Sequence, residues 1–140
     1  MSRYPQNKQI DTYRRLVRAR QFMDRHYHSP IDLKIISDKA CLSQYHFLRE
    51  FRKTFGKTPH QYLTYIRIGW AKHWLKISDF TVTEICFKVG FESLGSFSSL
   101  FRKSTNCCPT QFRIKCRQAQ VASECHPSMA IPGCFMSGQN

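Results

Sequence analysis

Apolar side chains recur every three or four positions along most of this 140-residue chain, which is the spacing of an amphipathic helix. Phe47, Phe51 and Phe55, for example, stand one helical turn apart with mostly polar residues between them. No stretch alternates apolar and polar residues over the length of a strand. The pattern predicts an all-α fold with helices over residues 12–28, 33–40, 44–55, 59–77, 82–89, 94–105 and 109–122.

Residues that cap helix N-termini stand just before most of these stretches. They are Asp11, Asp32, Ser43, Thr58, Thr81 and Ser93. Glu84 follows Thr81 by three positions, which is the spacing of a capping box. Tight turns at Cys41-Leu42-Ser43 and Gly90-Phe91-Glu92 each join two short helices, so the chain is predicted to contain two helix-turn-helix motifs.

The stretch around Lys57-Thr58-Pro59 recurs fifty positions later around Cys107-Cys108-Pro109. The identical pairs are Phe47/Phe97, Phe51/Phe101, Arg52/Arg102, Lys53/Lys103, Pro59/Pro109 and Gln61/Gln111. Gly56 and Asn106 also match, because both residue types tolerate the left-handed backbone that ends a helix. A helix, a stop and the start of another helix therefore occur twice.

This repeat and the breaks between helices divide the chain into five parts. They are an N-terminal arm (1–10), a first helix-turn-helix subdomain (11–57), a linker helix (58–78), a second helix-turn-helix subdomain (79–122) and a flexible tail (123–140). The tail is predicted because it carries Pro127, Pro132, Gly133 and Gly138 and has no helical period.

The net charge is +13, with 22 Lys and Arg against 9 Asp and Glu. Such a balance favours a polyanionic partner, nucleic acid first and an anionic membrane surface second, although a basic but ordinary soluble protein fits it too. No apolar run approaches the length that crosses a membrane, and residues 1–8 are polar, so we expect no signal peptide. We expect no membrane partner and a cytoplasmic location.

Seven cysteines lack a regular disulfide spacing, so we expect reduced thiols. Cys41 and Cys86 occupy small inward positions and are predicted to pack in the core. The late cysteines are Cys107, Cys108, Cys116, Cys125 and Cys134, and the last three stand nine residues apart, more widely than paired metal ligands such as C-x2-C. A cysteine-based redox or metal sensor is an alternative, but we expect no metal and no cofactor.

A helix-turn-helix lays its second helix in the major groove of DNA. A linker helix of about 19 residues spans roughly 28 Å at about 1.5 Å per residue. With the width of the two subdomains added, this approaches the roughly 34 Å repeat of duplex DNA. A monomer could therefore place both second helices in successive major grooves on double-stranded DNA, and its site would be asymmetric.

Several fixed spacings in the second half resemble the signature of the AraC/XylS family. They are Gly90-Phe91, Phe97, Phe101-Arg102-Lys103, Pro109 and Phe112-Arg113. The first half, from Leu33 to Tyr62, and Arg67 of the linker are similar to the same pattern. The resemblance covers about residues 10–115. It implies a bacterial transcription regulator, usually an activator that touches RNA polymerase. Within the family, the chain resembles the single-domain members, which have no small-molecule effector domain.

We call the second helix of each motif, predicted over residues 44–55 and 94–105, its reading helix. On the first reading helix, Gln44, Tyr45, Leu48 and Arg49 lie away from the core phenylalanines. The last three match positions that contact bases in relatives, so these four are the base-contact candidates. Arg49 is the strongest candidate, because its guanidinium can bind a guanine edge with two hydrogen bonds. Tyr45 could pack on a thymine methyl group or simply cover the helix.

The second reading helix carries shorter side chains. Its base-contact candidates are Leu94, Gly95, Ser98 and Ser99. Family relatives commonly have arginine or another polar residue where Ser99 stands. The helix is therefore expected to read DNA by shape and methyl contacts, or to bind only the backbone. A non-specific architectural DNA-binding protein is the alternative that this face suggests.

Phosphate contacts are predicted at helix starts and at basic positions beside both reading helices. The candidates are Ser43, Arg52, Lys53, Lys57, Ser93, Arg102 and Lys103. Solubility alone could also explain these charges. No arrangement of nucleophile, base and orienting group is visible, so the chain is not predicted to be an enzyme. Trp70 and Trp74 are predicted as core residues between the two subdomains.

Overall fold

A computed structural model describes residues 3–125, and the side chains of residues 6–123, as an array of α-helices. The helices are α1 (Arg3–His26), α2 (Leu33–Lys39), α3 (Gln44–Phe55), α4 (Pro59–Ile77), α5 (Val82–Lys88), α6 (Leu94–Thr105) and α7 (Pro109–Cys125). No strand occurs in this part of the chain. The prediction of an all-α fold with two helix-turn-helix motifs and a long linker helix is confirmed.

Helix α1 begins earlier than the sequence predicted. Asp11 does not cap it, because the helix already starts at Arg3 and most of the predicted N-terminal arm is helical. The Asp11 carboxylate instead accepts a hydrogen bond from Arg15 Nε at 2.9 Å, one turn further along. Residue 5 is a proline in the first turn, where a backbone N–H would have no helical partner in any case. Nothing in residues 3–10 therefore stops the helix.

Other helix ends differ by a few residues from the prediction. Helix α1 ends at His26 rather than His28, and α2 and α5 each end one residue early. Helix α7 continues to Cys125, so the first three residues of the predicted tail are helical. The rest of the tail, residues 126–140, lies outside the described residues.

The predicted caps from α2 to α6 are confirmed by hydrogen bonds. The side chains of Asp32, Ser43, Thr58, Thr81 and Ser93 each accept from a backbone N–H three residues on. Gly56 and Asn106 end the two reading helices in the left-handed conformation, with φ of 74° and 63°. These two residues turn the chain from each reading helix into the next helix at the same place.

The buried side chains form two separate cores, which define two lobes. The core of the first lobe contains Leu16, Ala19, Met23, Ile36, Ala40, Phe47, Phe51 and Leu63. The core of the second lobe contains Ile68, Ala71, Leu75, Ile85, Cys86, Val89, Phe91, Phe97 and Phe101. Helix α4 belongs to both lobes, because its first half packs in one core and its second half in the other. Tyr27, at the end of α1, packs against both cores.

The two tryptophans of the linker differ from each other. Trp74 is half-buried and packs against the second core. Trp70 is 40% exposed and stacks on Tyr27, with ring centroids 5.4 Å apart. The prediction of a core position between the lobes is therefore wrong for Trp70, which lies on the surface between them.

The turns of the two helix-turn-helix motifs differ in length. Four residues separate α2 from α3, whereas five separate α5 from α6. The residue with positive φ is Cys41 in the first turn (54°) and Gly90 in the second (102°). Cys41 is exposed, so its predicted packing role is wrong, whereas Cys86 is buried as predicted. Matching residues of the two motifs are therefore forty-nine positions apart before these turns and fifty positions apart after them.

Candidate nucleic-acid interface

Helix α3 is fixed by its buried side and presents the opposite side to solvent. Phe47 and Phe51 are fully buried, and the phenylalanine rings of residues 51 and 55 meet edge to face. At about 100° per residue, the side opposite these rings carries Tyr45, Arg49 and Arg52. The first two are the predicted base readers and the third is a predicted phosphate contact.

The exposed face of α3 combines apolar surface with positive charge. Tyr45 is 75% exposed and Leu48 is 39% exposed. A shallow depression of about 520 Å³ is lined by Tyr45, Leu48, Arg49, Arg52, Lys53 and Thr58. The structure therefore brings two of the apolar base-contact candidates together with three cations. Gln44, the fourth candidate on this helix, is exposed in the first turn.

Arg49 is exposed but not isolated. Its guanidinium carbon lies 5.8 Å from the centroid of the Tyr45 ring, and its Nε lies 3.6 Å from Glu50 Oε1. Glu50 also approaches His46 Nε2, at 4.0 Å. A single carboxylate thus sits beside the strongest candidate reader. Because both arginine contacts are at the surface, they hold the side chain only weakly and leave it free to turn toward another acceptor.

Helix α6 is fixed in the same way as α3 but exposes little side chain. Phe97 and Phe101 are fully buried and stand where Phe47 and Phe51 stand in α3. Leu94 is 41% exposed, Ser99 is exposed and Ser98 is half-buried. A side chain added at Gly95 would meet nothing within 4 Å. The face therefore has room for contact but few groups that could reach a base edge.

The predicted phosphate contacts surround both reading helices. Arg52, Lys53, Lys57, Arg102 and Lys103 are all exposed. The hydroxyl oxygens of Ser43 and Ser93 accept helix-capping hydrogen bonds, both at 3.2 Å. Each hydroxyl proton can still be donated to an acceptor outside the protein, since a hydroxyl both donates and accepts.

Sequence reasoning missed a contribution from α1. A recess of about 610 Å³ separates its N-terminal half from α3 and is lined by Lys8, Gln9, Thr12, Tyr13, Leu16, His46, Arg49, Glu50, Lys53 and Thr54. Lys8 thus joins Arg49 and Lys53 around one surface. Lys8 was overlooked because it precedes the predicted start of the helix. The spacing of Lys8 and Leu16, two turns apart, was the signal that could have found it.

The cysteines form no metal site in the part of the chain that the structure describes, where no three His, Cys, Asp or Glu residues are grouped to hold an ion. Cys107 is buried, while Cys108 and Cys116 are half-buried. Burial raises the pKa of the Cys86 thiol, so that thiol is a poor nucleophile at neutral pH. Cys134 lies outside the described residues. Within residues 3–125, no helix is both long and apolar enough to cross a membrane.

Two helix-turn-helix motifs, mounted on one linker helix and with exposed cations beside both reading helices, are the arrangement of a protein that binds duplex nucleic acid. Comparison with known proteins agrees. The helix-turn-helix domain family matches residues 36–115. The HTH-type transcriptional activator RhaS of Escherichia coli O1:K1 / APEC is 30% identical over 92 residues, which are 66% of this chain and 33% of RhaS. RhaS of Escherichia fergusonii is 33% identical over the same length.

Solved structures give the same answer. The DNA-binding domain of AdpA, in complex with a target DNA, is 28% identical with a TM-score of 0.72, covering 74% of this chain and 94% of that one. The C-terminal domain of the response regulator YesN from Fusobacterium nucleatum is 29% identical with a TM-score of 0.65, covering 68% and 93%.

The chain belongs to the AraC-type helix-turn-helix family of DNA-binding transcription regulators, and its relatives are regulators rather than enzymes. It spans about a third of the length of the curated RhaS relatives that it matches.

Proposed function

We propose that this protein is a sequence-specific transcription activator that binds double-stranded DNA as a monomer, with α3 and α6 in successive major grooves. The observation that carries this proposal is the mounting of two exposed, basic reading helices on one linker. Helix α4 has 19 residues, so it spans roughly 28 Å. That length, with the width of the lobes, suits the roughly 34 Å repeat of the duplex.

The two reading helices contribute differently. On α3, Arg49 binds a guanine edge while Tyr45, Leu48 and Gln44 contact neighbouring bases. On α6, Leu94, Gly95, Ser98 and Ser99 follow the groove by shape and methyl contacts. Ser43, Arg52, Lys53 and Lys57 hold the backbone at one half-site, and Ser93, Arg102 and Lys103 hold it at the other.

The role of activator rests on the relatives. RhaS is an HTH-type transcriptional activator, and the matched segment covers 66% of this chain. RNA polymerase is the proposed protein partner. Transcription in vitro from a promoter that carries the selected site tests this role: we expect more transcript when the protein is added. Less transcript would identify a repressor.

Selection of bound sequences from a random duplex pool tests sequence specificity. We expect one asymmetric consensus that spans two successive grooves, with the stronger base preference in the half bound by α3. Calorimetric titration of that duplex should give one protein per site. A palindromic consensus, or two proteins per site, would contradict binding as a monomer.

The short side chains of α6 favour one other function, that of a non-specific architectural DNA-binding protein. The same selection separates the two. An architectural binder would return no consensus, because its affinity would depend on phosphate contacts and DNA deformability alone. Salt does not separate them, since either protein should lose affinity by orders of magnitude between about 50 and 200 mM salt if it makes roughly 6–10 phosphate contacts.

A further inference from the structure

Parts of both lobes meet at one point beside the linker helix. Arg67, on α4, donates from Nε to the carbonyl oxygen of Tyr27 at 2.7 Å and from Nη2 to that of Ser29 at 3.0 Å. Both acceptors belong to the chain that leaves α1 in the first lobe. The Arg67 guanidinium carbon also lies 5.8 Å from the centroid of the Phe91 ring, which is part of the second core.

The turn of the second motif touches the same point. A Cβ atom at Gly90 would lie 2.6 Å from the Tyr27 carbonyl oxygen and 2.9 Å from Arg67 Nε. The backbone of the second lobe therefore approaches the end of α1 more closely than any residue with a side chain allows. We call the group of Tyr27, Ser29, Arg67 and Gly90 the lobe joint.

The lobe joint is held by strong interactions. Arg67 is half-buried, and burial lowers the pKa of its guanidinium while Glu92 opposes that shift. The group remains charged at any physiological pH, so its hydrogen bonds to the two carbonyl oxygens are charge-assisted and stronger than neutral ones. Tyr27 adds apolar contact, because it packs on both cores and its ring lies parallel to Trp70 within 4°.

We propose that the lobe joint fixes the distance and the rotation between the two reading helices, and so determines the number of base pairs that must separate the two half-sites. Arg67 is in this sense a positioning residue. The inference rests on the proposed binding to successive grooves. It goes beyond that proposal by assigning the spacing to particular contacts outside the DNA-reading surface.

The geometry of DNA makes such a joint effective. One base pair inserted between the half-sites moves the second groove by about 3.4 Å and turns it by about 34°. A rigid pair of lobes cannot follow both changes without losing contacts. A pair with a loosened joint can adjust, so it binds altered spacings with a smaller loss.

The experiment compares Arg67→Met with Arg113→Met. Arg113 is a matched control, because it also donates to two backbone carbonyl oxygens, those of Leu75 and Phe80, but entirely within the second lobe. Both variants lose one positive charge and one two-carbonyl contact. Binding is measured to the selected duplex, to versions with one base pair added or removed between the half-sites, and to the α3 half-site alone.

Wild-type protein should bind the altered spacings about tenfold more weakly or worse. Arg67→Met should reduce that ratio to within a few fold, with binding to the α3 half-site unchanged. Arg113→Met should keep the wild-type ratio. Arg67→Lys, which retains the charge but not the planar fork, should fall between the two and serves as the test if Arg67→Met does not fold.

The outcomes are distinct. A strict wild-type spacing that Arg67→Met and Arg67→Lys both retain overturns the lobe joint and leaves the proposed function standing. Equal loosening by Arg113→Met also overturns it, since any lost contact would then have the same effect. Equal wild-type binding at all spacings overturns the joint together with binding to successive grooves.

Discussion

The two helix-turn-helix motifs share a scaffold but differ in what they expose. Both reading helices bury two phenylalanines, begin at a serine cap and end at a left-handed residue. Both carry the same Arg-Lys pair one turn before that end. On the outer face, however, Tyr45 corresponds to Gly95 and Arg49 corresponds to Ser99. The side chains that stabilise the fold and those suited to bind phosphate are therefore the same in both motifs. Side chains suited to contact base edges are present mainly in the first motif.

The shared scaffold predicts the largest effects, and these should be equal in the two motifs. Phe51→Ala and Phe101→Ala each remove a fully buried ring and should each cost about 3–5 kcal/mol of the free energy of unfolding. Urea unfolding followed by circular dichroism measures both. If one variant were nearly neutral, the two cores would not be equivalent in spite of their matching contacts.

The outer faces should give unequal effects on DNA binding. Arg49→Ala should cost about 1–3 kcal/mol at the selected site and relax the preference at one base pair, because it removes a two-pronged donor. Ser99→Ala should cost about 1 kcal/mol or less, since a hydroxyl makes at most a modest hydrogen bond. Titrations with the site and its single-base variants measure both.

The converse substitution, Ser99→Arg, serves as the control for this comparison. It should raise affinity for most duplexes and create a new preference for guanine in the second half-site. A larger loss for Ser99→Ala than for Arg49→Ala would place the main reader in the second motif instead.

Low pH should affect the stability of the two motifs differently, because the first helix of the second motif has a carboxylate in its capping box and that of the first motif does not. In α5 the Thr81 N–H donates to Glu84 Oε2 at 2.7 Å, whereas α2 has Ile35 at the corresponding position. The hydrogen bonds from the Thr81 backbone and side chain lower the pKa of Glu84. A lowered carboxyl pKa stabilises the fold above the unfolded value of about 4.3, and this contribution is lost as the pH falls through the folded value.

Glu84→Gln isolates that charge, because Gln61 shows that a neutral glutamine completes the same capping box in α4. The variant should be less stable than wild type at neutral pH, and the difference should shrink as the pH falls below the unfolded value of about 4.3 toward the lowered folded value. Thermal unfolding at a series of pH values measures the difference. A difference in stability between the two proteins that stays constant with pH would mean that the carboxylate charge contributes nothing to the stability of the fold.

The smallest expected effect concerns α1, which flanks only the first motif. Lys8 lines the recess beside Arg49. Lys8→Gln should therefore make the slope of log affinity against log salt shallower by about one, which is the contribution of one phosphate contact. Arg14→Gln removes the same charge from an exposed position away from the buried Leu16 and should leave the slope unchanged. Equal slopes for both variants would show that Lys8 acts only through net charge.

Local signals predicted most of the helices. Six of the seven helix starts and three of the seven helix ends were predicted correctly, because caps, prolines and left-handed residues act within a few positions of themselves. The start of α1 was missed because an aspartate inside a helix resembles one that caps it. The two cases differ only in whether a helix-breaking residue precedes the aspartate. The face of each reading helix was also predictable, since two buried phenylalanines one turn apart fix which side points outward.

The sequence by itself determined the helical class, the repeat and the candidate readers, because helical periodicity and charge are properties of neighbouring residues. The tertiary structure alone decided the exposure of Cys41, the closeness of Lys8 to α3, and the meeting of Arg67 with Tyr27 and Gly90. The last two depend on residues more than twenty positions apart, and their approach is fixed by the packing of whole helices around two cores rather than by any local preference.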